Sequence, residues 1–98
     1  MTATPTYTGT VSAPGGTVSA HVRLEGAQSI RLREVMFSGD FFISPPRILF
    51  DLEAALRGVS VIEIASVLGR FFDNASIEIL SLEAATFQAA LEEALQNV

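Results

Sequence analysis

The sequence predicts a two-layer α+β domain: a small antiparallel β-meander in the first half, then two to three helices packed on one face of it. Three observations point there. Apolar and polar residues alternate between residues 17 and 25, the period of a strand with one buried face. Turn residues, Pro14-Gly15-Gly16 and Gly26, separate this segment from strand-like runs on either side. After Pro45-Pro46 the apolar spacing changes to that of amphipathic helices. A chain of 98 residues supports one modest core, so residues 1–98 are expected to form a single domain, with residues 1–5 frayed.

Tyr7 to Ser12 alternates loosely and reads as a first strand. Thr17 to Glu25 is the clearest one: Val18, Ala20, Val22 and Leu24 share a face, with Ser19, His21, Arg23 and Glu25 opposite. Val-Ser-Ala occurs at 11–13 and again at 18–20, as the two sides of a hairpin about Pro14-Gly15-Gly16. Ser29 to Ser38 returns as a third strand with a fault in its phase. Ile30 and Leu32 keep one parity, whereas Val35 and Phe37 keep the other. One extra residue near Arg33-Glu34 would bring both sets to one face, so a bulge is expected there. The alternative is that Val35 and Phe37 face a second apolar surface, such as a partner's.

In the helical half, Ser44 is the expected N-cap of a first helix with Pro45 at its first position, and Gly58 ends it after Arg57. Ile48, Leu49, Leu52, Ala55 and Leu56 form its inner face, and Phe50 falls roughly 150° away at 100° per residue. Ser60-Val61-Ile62-Glu63 has the pattern of a capping box opening a second helix to about Phe72, with Asp73-Asn74 as breaker. Val61, Ile64, Ala65, Leu68, Phe71 and Phe72 make its apolar stripe, opposite Glu63, Ser66 and Arg70. Residues 77–80 fit a short strand or a linker equally. A third helix is expected from Leu82 to Gln96, with Phe87, Leu91, Ala94 and Leu95 inward.

Composition narrows the function. Charged residues are 17% of the chain and apolar ones 49%, where roughly a quarter charged is usual. The surface must therefore carry extra apolar area, which a face buried against another protein explains better than an alanine-rich core. A net charge of −5 with no basic run argues against nucleic acid and anionic membranes as partners. No stretch has the length of a membrane span, and residues 1–10 lack the pattern of a secretory signal, so a cytoplasmic location is expected.

The side chains available for chemistry are few. There is no cysteine, and all six basic residues are arginine, so a Schiff base, a phosphate-holding lysine and lysine modification are all excluded. His21 is the one histidine. It has no sequence-adjacent partner for acid–base or nucleophilic work and reads as a surface strand residue. Glu25, Glu34 and Asp40 do not give it the spacing of a metal site. Gly15-Gly16 is followed by neither lysine nor helix and so is not a phosphate loop. Arg23, Arg31 and Arg33 form either a small anion-binding patch or, more in keeping with the neighbouring Glu25 and Glu34, cross-strand ion pairs.

The remaining feature is Ser38-Gly39-Asp40-Phe41-Phe42, which closes the third strand. Adjacent strand residues point to opposite sides, so Phe41 and Phe42 cannot both enter one core. Asp40 suits a turn in which its carboxylate accepts backbone N–H groups. With Pro14-Gly15-Gly16, Glu25-Gly26 and the helix ending Leu56-Arg57-Gly58-Val59, this run resembles the accessory domain of lipoate-protein ligases, over about Ala13 to Leu95. That domain is the C-terminal part of single-chain ligases and a separate small subunit in two-component ones.

The resemblance implies a non-catalytic accessory subunit that docks on a large catalytic ligase subunit and supports ATP-dependent lipoyl-adenylate formation. ATP, Mg and lipoate would belong to that partner, and lipoyl carrier domains would be met only indirectly. Val35, Phe37, Gly39, Asp40, Phe41, Phe42 and Phe50 are the expected interface residues, and no catalytic, cofactor or metal residue is expected in this chain. The missing lysine fits neither a complete ligase nor a lipoyl carrier. The competing expectation is a stand-alone interaction module or a homodimer using the same apolar face.

Overall fold

In the computed structural model, which describes residues 5–98, β1 (Tyr7–Ala13), β2 (Gly16–Glu25) and β3 (Arg31–Asp40) form an antiparallel sheet in the order β1-β2-β3. Of the segment expected to fray, residues 1–4 lie outside the described residues. The hairpin pairs Val11 with Val18 and Ala13 with Gly16, placing Pro14-Gly15 at its tip. A short 3-10 turn, Ala27–Ser29, joins β2 to β3.

The expected bulge is present. Arg23 pairs with Glu34 and Leu24 with Leu32, which leaves Arg33 as the extra residue in β3. The strand therefore changes phase, and Leu32, Val35 and Phe37 are all buried beneath the helices. This overturns the alternative in which Val35 and Phe37 face a partner: both belong to the core that the domain builds for itself.

Beyond β3 the chain forms a two-residue strand β4 (Ile43–Ser44), then α1 (Arg47–Leu56), α2 (Ile64–Asn74), a second short strand β5 (Ile79–Leu80) and α3 (Ala84–Gln96). β4 and β5 pair with each other, Ile43 opposite Leu80 and Ser44 opposite Ile79, so of the ambiguous residues 77–80 only Ile79–Leu80 is strand. Ser44 is thus a strand residue and not the cap of α1, whose N-cap position is Pro46. Ser60 holds the N-cap position of a 3-10 turn, Val61–Glu63, but its side chain makes no cap bond, and the α-helix starts only at Ile64. That helix runs on through Asp73-Asn74, where Asn74 Nδ2 donates to the Arg70 carbonyl at 2.8 Å.

Helix α3 crosses β1 and β2, while α1 covers β3 and α2 bridges the two helices. Phe87 of α3 is completely buried at the centre. The rings of Phe37, Phe41 and Phe72 surround it at centroid distances of 5.3, 5.5 and 5.7 Å, the first two edge-on. Ala90, Leu91 and Ala94 continue this buried face of α3. The small residues on α3 let it approach β1 closely at Gly9, where a Cβ would overlap the backbone of Ala90 and Ala94. Among the described residues the buried set is wholly apolar, with no charged or polar member.

The free edge of β3 is covered from its start. Leu32 N donates to the Val59 carbonyl at 2.9 Å, Gly58 N donates back to the Leu32 carbonyl at 2.6 Å, and Val61 N donates to the Ile30 carbonyl at 2.9 Å. Farther along, Phe37 N donates to Glu53 Oε2 of α1 at 2.7 Å. A carboxylate here satisfies a strand-edge amide that water would otherwise have to reach beneath a helix.

Two outcomes follow for stability. Gly9→Ala forces α3 away from the sheet and lowers unfolding free energy by about 1–3 kcal/mol; an unchanged denaturation midpoint would show that α3 does not pack as described. Glu53→Ala removes the acceptor for Phe37 N–H, a loss of about 1–3 kcal/mol in the same assay. Recovery of most of that loss by Glu53→Gln, which keeps an acceptor oxygen, separates the hydrogen bond from simple helix propensity.

Candidate functional site

Because β3 ends in Gly39-Asp40 and turns at once into β4, Phe41 and Phe42 lie at the seam between the main sheet and the small ribbon. Gly39 carries φ +138° opposite Val18, and a Cβ there would overlap the Thr17 carbonyl, so this crossing needs glycine. The two phenylalanines then part as their alternation requires. Phe41 is half-buried with its edge on Phe87. Phe42 is 71% exposed.

The exposed ring is held by its backbone. Phe42 N donates to Ser81 Oγ at 2.8 Å, and Ser81 N donates to the Phe42 carbonyl at 2.9 Å. Ile79 lies two residues before Ser81, so it shares with Phe42 one side of the ribbon, and it is 57% exposed. Phe50 stands out from α1 at 67% exposure, as its position on the helix predicts. Burying these side chains against a partner would stabilise a complex by roughly 1.5–3 kcal/mol for each one fully covered.

Of the expected interface residues, then, Phe42 and Phe50 are presented to solvent, Phe41 anchors the junction, and Val35 and Phe37 are core. Asp40 is exposed at the end of β3 opposite Thr17. Its carboxylate accepts no backbone N–H among the described residues, so the turn depends on Gly39 and not on an aspartate cap. Ile79 was missed, since residues 77–80 carried no decisive pattern. The signal was there in Ile77-Glu78-Ile79, three residues of strand-like alternation too short to separate from a linker.

The open face of the sheet is polar. His21 sits between two hydroxyls, with Thr8 Oγ1 at 3.0 Å from Nδ1 and Ser38 Oγ at 2.8 Å from Nε2. Thr10 with Ser19 and Ser12 with Thr17 extend the same pattern. A serine hydroxyl on an imidazole has the first contact of a nucleophilic pair, but the third group is a neutral hydroxyl and not a carboxylate. The contacts lie on an exposed sheet surface. The groove between α1 and α2 and the cleft beside Pro14 contain none of these three residues. The arrangement is a cross-strand hydrogen-bond ladder.

Arg23 behaves as the ion-pair expectation requires: it lies 3.8 Å from Glu34, and its Nε donates to Thr6 Oγ1 at 3.2 Å. Among the described residues no three His, Cys, Asp or Glu side chains are grouped so as to hold a metal ion. No helix among them is long and apolar enough to cross a membrane.

No protein-family model and no curated protein sequence matches the chain. Among solved structures, it is similar to a chain from an archaeal lipoylation system of Thermoplasma acidophilum, described as a bipartite lipoate protein ligase and its E2 lipoyl domain. The TM-score is 0.75 and the sequence identity 28%, over 89% of this chain and 96% of that one. The domain is therefore similar, across most of its length, to a component of a lipoylation system.

Rings as exposed as these contribute little to the isolated fold. Phe42→Ser and Phe50→Ser are each expected to change unfolding free energy by less than about 0.5 kcal/mol. A loss of about 2 kcal/mol or more in either variant would place that ring in the domain's own packing.

Proposed function

We propose that this chain is a non-catalytic accessory subunit that docks on the large subunit of a bipartite lipoate-protein ligase and supports ATP-dependent formation of lipoyl-adenylate. The observation that carries the proposal is its likeness, over nearly all of both chains, to a component of the archaeal bipartite ligase system. That system has two kinds of component. A lipoyl domain must present a lysine to receive the acyl group, and this chain has none. The ligase is the remaining component, and a matched chain almost wholly covered by these residues is of similar, small size.

In this proposal the large subunit binds ATP, Mg and lipoate, and carries the acyl transfer to lipoyl carrier domains. The work of the small subunit is physical. An acyl-adenylate is open to attack by water, and a second domain that closes over it excludes solvent while completing the site. Phe42 and Phe50 supply the apolar anchors, with Ile79 beside Phe42 on the ribbon. Phe41 and the Gly39 crossing hold Phe42 in place from beneath, because Phe41 is fixed on the buried Phe87 ring. Aromatic anchors of this kind dominate interface energetics where they are fully desolvated.

The test is lipoyl-adenylate formation by the large subunit with this protein added in increasing ratio. Stimulation saturating near equimolar is the expected result, and Phe42→Ser should weaken association by about 2 kcal/mol or more. No stimulation, together with no complex on a sizing column, would sink the accessory role and leave a stand-alone module or homodimer as the occupant of this surface.

A further inference from the structure

Between α1 and α2 lies a shallow groove of about 570 Å³ that opens broadly to solvent. Its floor is apolar, from Ile48 on α1 and from Val67 and Phe71 on α2, and two guanidinium groups, Arg47 and Arg70, stand in its lining. Neither arginine has a side-chain hydrogen bond, ion pair or ring contact among the described residues. Asp51, the one carboxylate in the lining, pairs with neither of them. In a chain of net charge −5, the groove lining is thus locally positive.

We infer that this groove receives a segment of the partner protein that carries an apolar side chain flanked by carboxylates. The inference rests on the proposed accessory role and names a second part of the same docking surface. Three observations select this occupant. The groove is too open to enclose most of a small ligand, which a dedicated small-molecule site does, whereas a segment fixed at both ends by its own protein does not need enclosure. Arg47 and Arg70 present planar forks suited to carboxylates, and among the described residues neither is held in an ion pair.

The third observation is continuity. Ser44 of the ribbon is three residues before Arg47, and Ser76 in the groove lining is three residues before Ile79. The groove therefore opens at the end of the helices from which both ribbon strands run, Ile79 being paired with Ser44 in that ribbon. An apolar side chain on Val67 and Phe71 excludes water from the flanking pairs, and the arginines set the orientation of the segment.

The test is titration of the large ligase subunit of the same organism with the wild-type chain and with R47E/R70E, at low and high salt. Both arginines are exposed, so the doubly reversed chain should keep its fold, which circular dichroism checks. The expected result is association weakened by at least about tenfold at low salt, with the gap narrowing as salt screens the charges. Wild-type binding with R47E/R70E within roughly twofold of it would overturn the groove assignment and leave the accessory role standing. A loss independent of salt would also overturn it, since charge pairing would then not be the cause. Failure of the wild-type chain to bind at all would overturn the accessory role, and this inference with it.

Discussion

One extra residue in β3 makes the rest of this domain possible. Without Arg33 as a bulge, the strand could bury either Leu32 or the Val35–Phe37 pair beneath the helices, but not both. A sheet of three strands has little inner surface to spare in a chain this short. Losing Phe37 from the inner face would leave the buried ring of Phe87 without one of its two edge-on neighbours.

The aromatic cluster and the exposed rings are parts of one arrangement. Phe87 ties together α3, β3 and α2 through Phe37 and Phe72, and reaches the junction through Phe41. Phe42 is therefore an exposed side chain on a rigid base, with the Ser81 hydrogen bonds on one side and the core on the other. Preorganisation of this kind lowers the entropy lost on association, because the ring and its backbone are already in place. The polar face of the sheet shows the opposite character: its serine, threonine and histidine side chains satisfy one another across strands and leave few polar groups seeking a ligand.

Much of this was legible in the sequence where a period could be counted. The strands around Val18 to Leu24, the bulge near Arg33, the outward Phe50 and the inward Phe87, Leu91 and Ala94 all follow from alternation or helical spacing. The errors came where a local signal competed with a tertiary contact. Ser44 is a sound cap residue by type, yet pairing with Ile79 drew it into a strand. Ser60 and Glu63 have capping-box spacing, but that segment forms a 3-10 turn whose backbone docks on the start of β3. Ala55 and Ala65 fit their apolar stripes and are exposed, since alanine follows neither face strongly. Helical spacing puts Arg70 opposite the apolar stripe of its helix, but that it shares a groove with Arg47 could not be read from sequence, because the two come together only when α1 and α2 pack.

The Glu53 contact has a bearing on how this molecule can assemble. A sheet recruits a further strand through a row of free amides and carbonyls along its outer strand. Here the first part of that row is taken up by the segment from Gly58 to Val61, and an amide farther along is held by a helix carboxylate. A strand arriving from another chain would have to expel both. Growth by sheet extension is thus opposed on the β3 side, where an incoming strand would meet a loop and a helix in place of a free backbone ladder.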